Sequence, residues 1–124
     1  MDNAVTHDDG RLIYKIMTNE AWVQAVQSGA FEGSADDVRD GYIHLSAQHQ
    51  LAVTAQKYFT GVDGLVLVAF VPTQVGAGLK WEPSRGGDLF PHYYGRLPVA
   101  AARWVRPLPL DLIGVPCVAD VLNP

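Results

Sequence analysis

The apolar positions in the first part of the chain change from a strand-like to a helix-like spacing. In residues 12–16 a spacing of two places the large apolar and aromatic side chains on one face, which predicts a strand. Thr18 then offers an N-cap and Gly29 a stop, so we predict a helix over residues 19–27. The chain therefore begins with a strand that is followed directly by a helix.

A similar change recurs further along the chain. Residues 34–37 resemble a capped helical turn that Gly41 closes, and residues 42–46 are typical of a short strand. Ser46 is placed to cap a helix over residues 47–59. The apolar residues of this helix lie on one stripe, namely Leu51, Ala52, Ala55, Tyr58 and Phe59. A second strand and helix are therefore predicted.

The second half of the chain favours strands. Residues 65–71 are apolar throughout and rich in valine, which predicts a central strand buried on both faces. Short strands are predicted at residues 79–82 and 103–106, the latter at a sheet edge because prolines follow it. Residues 111–124 form a weakly patterned tail. Since long helices are missing between the later strands, we predict a small α+β domain with split, mixed or antiparallel β-structure and two main helices.

Composition and charge indicate one ordinary globular domain. The chain has 124 residues, and 48% of them are apolar, which is enough for a core. We predict a flexible leader at residues 1–10 and a single domain at residues 11–124. The net charge of -4 and the scattered basic residues argue against a general binder of nucleic acids or anionic membranes.

The sequence shows no sign of export or membrane insertion. The first ten residues lack the basic and apolar regions of a signal peptide, and the apolar run at residues 65–71 is too short to cross a bilayer. Cys117 is the only cysteine, so an intramolecular disulfide is excluded, and we expect a half-buried, unreactive thiol. A cytoplasmic protein is the resulting expectation.

The segment at residues 80–95 carries the most chemistry and is predicted to be a rigid loop. Arg85 precedes Gly86 and Gly87, which would let a backbone come close to a ligand while the guanidinium binds a phosphate or carboxylate. A solvated arginine in a turn is the alternative. Glu82 could orient a hydroxyl or act as a general base, or it could pair with Arg85.

The short strand at residues 42–46 offers a second group of polar side chains. Alternation places Tyr42, His44 and Ser46 on one face, next to the N-terminus of the following helix. Free N–H groups at such a terminus suit a phosphate, and the imidazole and hydroxyl suit a ribose. The alternatives are that Ser46 only caps the helix and that His44 is a hydrogen-bonded surface residue.

His92 lies among aromatic and proline residues, which predicts a stiff aromatic turn. Such flanks can stack on a planar ligand and hold an imidazole, or they can form a small hydrophobic cluster. His44, His49, His92 and Glu82 could converge on a metal ion, but none of their spacings is a recognised ligand pattern. No metal ligand is therefore predicted.

Three blocks of the sequence, residues 41–46, 81–87 and 90–95, together resemble the bacterial family called domain of unknown function 952. The resemblance extends over most of the chain, and the fold of that family resembles that of ADP-ribosyltransferases, whose cleft holds NAD. It implies that His44 and Ser46 hold a ribose and that Arg85 meets a phosphate.

The same resemblance implies a cytosolic protein that binds NAD or a related nucleotide or ADP-ribosyl group. Tyr93 or Tyr94 would stack on a base, and His92 or Glu82 would act as acid or base. Many active members carry a glutamate on a late strand, and residues 101–108 contain no carboxylate. If Glu82 substitutes from another position, the activity is that of an ADP-ribosyltransferase-like enzyme. Otherwise it is that of a phosphotransferase-like enzyme that relies on arginine and histidine, or it is lost. The alternatives are a non-catalytic ligand-sensing or interaction module and a metal-dependent hydrolase.

Overall fold

The computed structural model describes residues 11–124, and the predicted leader at residues 1–10 lies outside the described part. The strands are β1 (Ile13–Thr18), β2 (Ala30–Phe31), β3 (Ile43–His44), β4 (Ser46–Ala47), β5 (Leu65–Phe70), β6 (Leu79–Pro83), β7 (Leu89–Tyr93), β8 (Leu97–Pro98) and β9 (Ala102–Leu108). The helices are α1 (Asn19–Ser28), α2 (Ala35–Asp40), α3 (Leu51–Phe59), α4 (Pro72–Val75) and α5 (Val118–Leu122). The named strands pair antiparallel, which confirms the predicted small α+β domain.

The largest sheet has the order β4-β1-β5-β9, and β5 lies inside it as predicted. Every residue of β5 is buried, because one core cluster packs on each face of the sheet. Burying a large aliphatic side chain contributes about 1.5–3 kcal/mol, so these two clusters supply much of the stability. The predicted edge strand is also confirmed, since β9 ends the sheet.

A second sheet, of order β3-β7-β6, confirms the predicted strand at residues 79–82, which is part of β6, and corrects the prediction of a loop for the residues that follow up to 95. This segment is mainly a hairpin of β6 and β7 rather than a loop. Gly86 and Gly87 in the turn have φ angles of 71° and 80°, which side chains with a Cβ rarely adopt. The two glycines are therefore explained by the turn. A third pairing joins β2 to β8.

The predicted strand at residues 42–46 divides into two strands that join different sheets. β3 pairs with β7 in the second sheet, whereas β4 pairs with β1 in the first. This stretch of chain therefore connects the core sheet to the hairpin. The side chains of residues 43–47 therefore lie where the two sheets meet.

The first two helices begin and end as their caps predict. Thr18 Oγ1 accepts a hydrogen bond of 3.1 Å from Ala21 N at the start of α1, and Ser34 and Asp37 form a capping box on α2. The prediction for Ser46 was wrong. α3 begins at Leu51 after a short 3-10 turn, because Ser46 belongs to β4 and pairs with β1.

The tail at residues 111–124 contains α5, which packs against α3 and β9. Val118 and Val121 of this helix are buried in the same core cluster as Leu51 and Ala55 of α3. Cys117, just before α5, is partly buried. Across residues 11–124, the helices are all too short or too polar to span a bilayer.

Candidate functional site

A cavity of about 310 Å³ lies between α2, α3 and the paired strands β3 and β7. Side chains alternate along these strands, so one side of the pair faces the cavity and the other faces the core. Tyr42, His44, Phe90 and His92 line the cavity. The residues that alternate with them are buried, namely Ile43, Leu45, Pro91 and Tyr93, and of these only Leu45 also borders the cavity. The register of this strand pair thus decides which side chains reach the cavity.

Four residues that the sequence suggested for binding or catalysis lie around this cavity. His44 and His92 are direct cross-strand partners, and their ring centroids are 5.8 Å apart. Ser46 follows from β4, and Arg85 enters from the turn between β6 and β7. Two stretches that are distant in the sequence therefore face each other across one hollow.

His44 is bound by two carboxylates of α2. Its Nδ1 lies 2.6 Å from Asp37 Oδ1, and its Nε2 lies 3.0 Å from Asp40 Oδ2. The backbone N–H of His44 also donates to Asp37 Oδ1 at 3.0 Å. Both ring nitrogens can donate together only when the ring carries two protons. The helix and the strand are therefore joined through the imidazole.

Asp37 is itself held by a buried lysine. Lys15 Nζ lies 3.0 Å from Asp37 Oδ2 and donates to the carbonyl oxygen of His44 at 2.8 Å. Lys15 is 8% exposed and Asp37 only 2%. The N–H of Ser34 donates to the same oxygen, Asp37 Oδ2, at 2.8 Å. The ion pair thus connects β1 to α2 and β3 beneath the cavity.

Burial acts on both members of this ion pair. For Asp37, burial would raise the pKa, but the Lys15 charge and hydrogen bonds from His44 and Ser34 outweigh it and lower the pKa below its ordinary value. For Lys15, burial is the larger effect and lowers the pKa, although the Asp37 charge opposes it. Each charge therefore depends on the other.

His92 is paired with Glu82 across the hairpin. Its Nδ1 lies 2.8 Å from Glu82 Oε1, and the Tyr94 hydroxyl donates to the same oxygen at 2.8 Å. These two hydrogen bonds, the one with His92 first, lower the pKa of Glu82. The ring of Tyr42 stacks on His92 with centroids 4.1 Å apart. A carboxylate and an aromatic ring thus fix the imidazole.

Tyr42 is the aromatic residue that contacts both histidines. Its ring centroid is 4.7 Å from that of His44, and it also lies 5.4 Å from the ring of Tyr94. Burial, followed by the negative charges of nearby carboxylates, raises the pKa of Tyr42. Its hydroxyl therefore stays protonated at neutral pH and can donate a hydrogen bond.

Arg85 contacts hydroxyl and aromatic groups at the other end of the cavity. Its Nη2 donates to Thr54 Oγ1 at 3.2 Å, and its guanidinium lies 4.8 Å from the ring centre of Phe90. The Thr54 hydroxyl is also 3.2 Å from that of Ser46. The alternative pairing of Glu82 with Arg85 is not what the structure has, because Glu82 bonds His92 and Tyr94. Within residues 11–124 no carboxylate forms an ion pair with Arg85.

Several residues suggested by the sequence lie away from the cavity. Tyr93 belongs to the core and donates from its hydroxyl to the carbonyl oxygen of Val75 at 2.5 Å, so it is not free to stack on a base. Tyr94 is exposed beside Glu82 and does not line the cavity. His92 lies on β7 and not in a turn, since the aromatic segment continues the hairpin.

The residues named for a metal site do not converge. His49 is exposed and its Nε2 lies 3.1 Å from Asp88 on the outer side of β7, away from His44 and His92. In the part of the chain that the structure describes, no three His, Cys, Asp or Glu side chains are grouped so that they could hold a metal ion.

Sequence reasoning missed the residues that support the histidines. Lys15 could have been identified from the sequence, because it lies on the same face of a buried strand as the apolar Ile13 and Met17. A buried lysine requires a partner of opposite charge. Asp37 looked only like a capping residue, and it is one, but its second role depends on contacts with distant strands. Thr54 carried no signal, since it lies among the polar positions of α3.

Comparison with known proteins identifies the family. Residues 16–105 match the family described as Protein of unknown function (DUF952). The chain is 48% identical to protein CC0527 from Caulobacter crescentus, whose crystal structure aligns over 91% of this chain and 99% of that chain with a TM-score of 0.87. The solution NMR structure of CC0527 aligns over 90% and 97% of the two chains with a TM-score of 0.80. No curated protein matches the chain. The chain belongs to the DUF952 family.

Proposed function

We propose that this protein binds a nucleotide of the ADP-ribosyl class, of which NAD is the parent compound, in the cavity between α2, α3 and the β3–β7 pair. The observation that carries the proposal is the position of Arg85. Its guanidinium reaches the cavity beside the hydroxyl of Thr54 and has no carboxylate partner among residues 11–124. A planar set of N–H donors next to hydroxyls suits a phosphate group.

The opposite end of the cavity suits a ribose. Asp40 is one-third exposed and lines the cavity, and it is held by Arg39 Nε at 3.0 Å and by His44 Nε2 at 3.0 Å. A carboxylate oxygen is the usual acceptor for ribose hydroxyls in dinucleotide sites. In this arrangement His44 orients Asp40, and the Ser46 hydroxyl lies between the ribose and the phosphate.

The size of the cavity suggests which part of the ligand it encloses. A volume of about 310 Å³ is near the lower end of ligand pockets, which run from about 300 to 1,000 Å³. One nucleoside phosphate half of a dinucleotide fits inside, and the other half lies across the rim. Tyr58 is 56% exposed on that rim and replaces Tyr93 and Tyr94 as the residue expected to stack on a base.

Two features favour an enzyme over a sensing module. A sensing module predicts that the histidines are far apart or that backbone carbonyls bind their rings. Instead, both histidines line one cavity, and each ring contacts a side-chain carboxylate. The resemblance to ADP-ribosyltransferases supports the ligand class. The glutamate that many of those enzymes carry on a late strand has no counterpart on β9, and β9 does not line the cavity. Any chemistry would therefore depend on the residues of β3, β6 and β7.

Binding is tested by NMR titration of the isotope-labelled protein with NAD, ADP-ribose and a 2′-phosphorylated nucleotide. We expect saturable shifts at the side chains of His44 and His92 and at the backbone amides of residues 85–87. The absence of saturable shifts with all three ligands would exclude the proposed function.

The role of Arg85 is tested with Arg85→Ala. Hydrogen bonds to charged groups contribute about 1.5–3 kcal/mol, so this variant should bind ADP-ribose roughly 10- to 150-fold more weakly. Nicotinamide riboside, which has no phosphate, should lose little. Arg96→Ala is the matched control, because Arg96 is an exposed arginine paired with Glu32. An equal loss for both ligands would show that Arg85 supports the fold and not the phosphate.

A further inference from the structure

The two histidines of the cavity differ in what their ring nitrogens contact. His44 has a carboxylate at each nitrogen, Asp37 at Nδ1 and Asp40 at Nε2. His92 has Glu82 at Nδ1, whereas its Nε2 makes no hydrogen bond to any residue from 11 to 124. The side chain of His92 is only 4% exposed, so this nitrogen has little access to bulk water. A buried polar atom without a partner is rare and points to a group that is still to bind.

The contact with Glu82 determines which nitrogen of His92 is available. The carboxylate of Glu82 only accepts hydrogen bonds, because its pKa is lowered and it stays ionised. In the neutral ring, Nδ1 therefore carries the proton, and Nε2 carries a lone pair. Tyr42 stacks on the ring at 4.1 Å and prevents it from turning. Since His92 lines the cavity, Nε2 is the ring nitrogen that is left to bind a ligand there.

We propose that His92 is the proton-transfer residue of this protein, that its Nε2 takes the proton of a hydroxyl on the bound ligand or on an attacking second substrate, and that Glu82 and Tyr42 are positioning residues. The proposal rests on the proposed function, since it requires the nucleotide in the cavity. In the step, the O–H bond breaks and an N–H bond forms at Nε2. The oxygen keeps the electron pair, and the new imidazolium charge faces the carboxylate of Glu82.

The charged groups around His92 favour the protonated ring as the product of this step. Glu82 contacts the ring from β6, and Asp37 and Asp40 of α2 lie behind His44 in the neighbouring strand. The positive groups that line the same cavity are Lys15, which is paired with Asp37, Arg39, which is paired with Asp36 and Asp40, and Arg85. Lys80 is the exposed cross-strand partner of His92. A nearby carboxylate and a polar, buried surrounding are typical of a general base.

His44 is suited to positioning and not to proton transfer. Each of its nitrogens is within hydrogen-bond distance of a carboxylate of α2, so neither has a free lone pair for a ligand. Both contacts join α2 to β3. The two histidines therefore have different roles. His44 holds α2 and Asp40 in place, and His92 exchanges the proton.

The test measures the tautomer of each histidine by long-range proton–nitrogen NMR correlation of the full-length protein at mildly alkaline pH. We expect His92 to show a protonated Nδ1 and an unprotonated Nε2. Titration with ADP-ribose should then shift the Nε2 resonance of His92 strongly and leave its Nδ1 resonance nearly unchanged. Glu82→Leu, which removes the acceptor, should mix the two tautomers, and Glu82→Gln, which keeps an acceptor oxygen, should restore the Nδ1–H form.

The control variant is His49→Gln, which removes an exposed histidine on the outer side of β7 and should leave the His92 signals unchanged. A protonated Nε2 in the free protein would overturn the assignment of His92. Saturable binding of ADP-ribose without a change at Nε2 would also overturn it and would leave the proposed function standing. Absence of any binding would instead overturn the proposed function, and this inference with it.

Discussion

Replacement of Asp37 by asparagine is expected to destabilise the protein by about 3–5 kcal/mol, because it leaves the ammonium group of Lys15 buried without a counter-charge. The penalty has an upper bound, since Lys15 can release its proton instead. Deprotonating a lysine at neutral pH costs about 4–5 kcal/mol, given an ordinary pKa of about 10.4 and 1.36 kcal/mol for each pH unit. The two figures agree, so a loss within this range is the expected result.

Replacement of Lys15 should lower the free energy of unfolding less than replacement of Asp37 does. Lys15→Met removes the ammonium and keeps an unbranched side chain, while the carboxylate of Asp37 retains donors from Ser34 and His44. The double variant, with both charges removed, should be more stable than Asp37→Asn alone. Residues in contact commonly show coupling energies of about 0.5–3 kcal/mol, and a buried ion pair belongs at the upper end.

The assay is equilibrium denaturation of the wild type, both single variants and the double variant, analysed as a double-mutant cycle. Asp36→Asn is the matched control, because Asp36 lies on the same helix, is exposed and pairs only with exposed Arg39. It should change the free energy of unfolding by no more than about 0.5 kcal/mol. A loss for Asp37→Asn as small as that of the control, or strict additivity in the double variant, would refute the reasoning.

Two further predictions concern pH and Tyr93. The pKa of folded Asp37 lies below the ordinary value of about 3.9, so its stabilisation is complete above that value and is lost as the pH falls through the folded pKa. The difference in unfolding free energy between wild type and Asp37→Asn should therefore narrow in acid, and a constant difference would contradict this. Tyr93→Phe should cost about 1–3 kcal/mol, because the buried carbonyl of Val75 loses its donor. The affinity of Tyr93→Phe for ADP-ribose, measured by NMR titration, should not change. A loss of affinity without a loss of stability would show that Tyr93 contacts the ligand.

The parts of the fold that depend on local pattern could be predicted from the sequence. β5 follows from an unbroken apolar run, and the ends of α1 follow from Thr18 and Gly29. The hairpin could not be predicted, because glycine and proline clusters are typical of loops. Pro91 in particular lies in the middle strand of its sheet, a position that proline rarely takes. Its carbonyl oxygen still accepts a hydrogen bond from Leu45 N at 3.0 Å, which keeps the strand paired.

The candidate site also has a part that local sequence pattern predicts and a part that depends on tertiary contacts. Alternation along residues 42–46 correctly grouped Tyr42, His44 and Ser46, since side-chain direction in a strand is a local property. The partners of these side chains are set by tertiary contacts. The pairing of His44 with His92 depends on the register of two strands that are far apart in the chain, and Lys15 reaches Asp37 from another sheet. Residue types therefore indicated which segments form the cavity, but only the fold shows which carboxylate contacts which imidazole.

The lysine beneath the cavity has a consequence for how this protein family can diversify. Because the carboxylate of Asp37 both pairs with buried Lys15 and orients the imidazole of His44, a substitution at Asp37 should impair folding as well as the geometry of the cavity. Tyr58, Thr54 and Arg85 line the cavity and take no part in this buried ion pair. Substitutions at these three positions should therefore cost less stability and should be able to change ligand specificity. A library that randomises these three while leaving Lys15 and Asp37 untouched should yield mostly folded proteins with altered ligand choice.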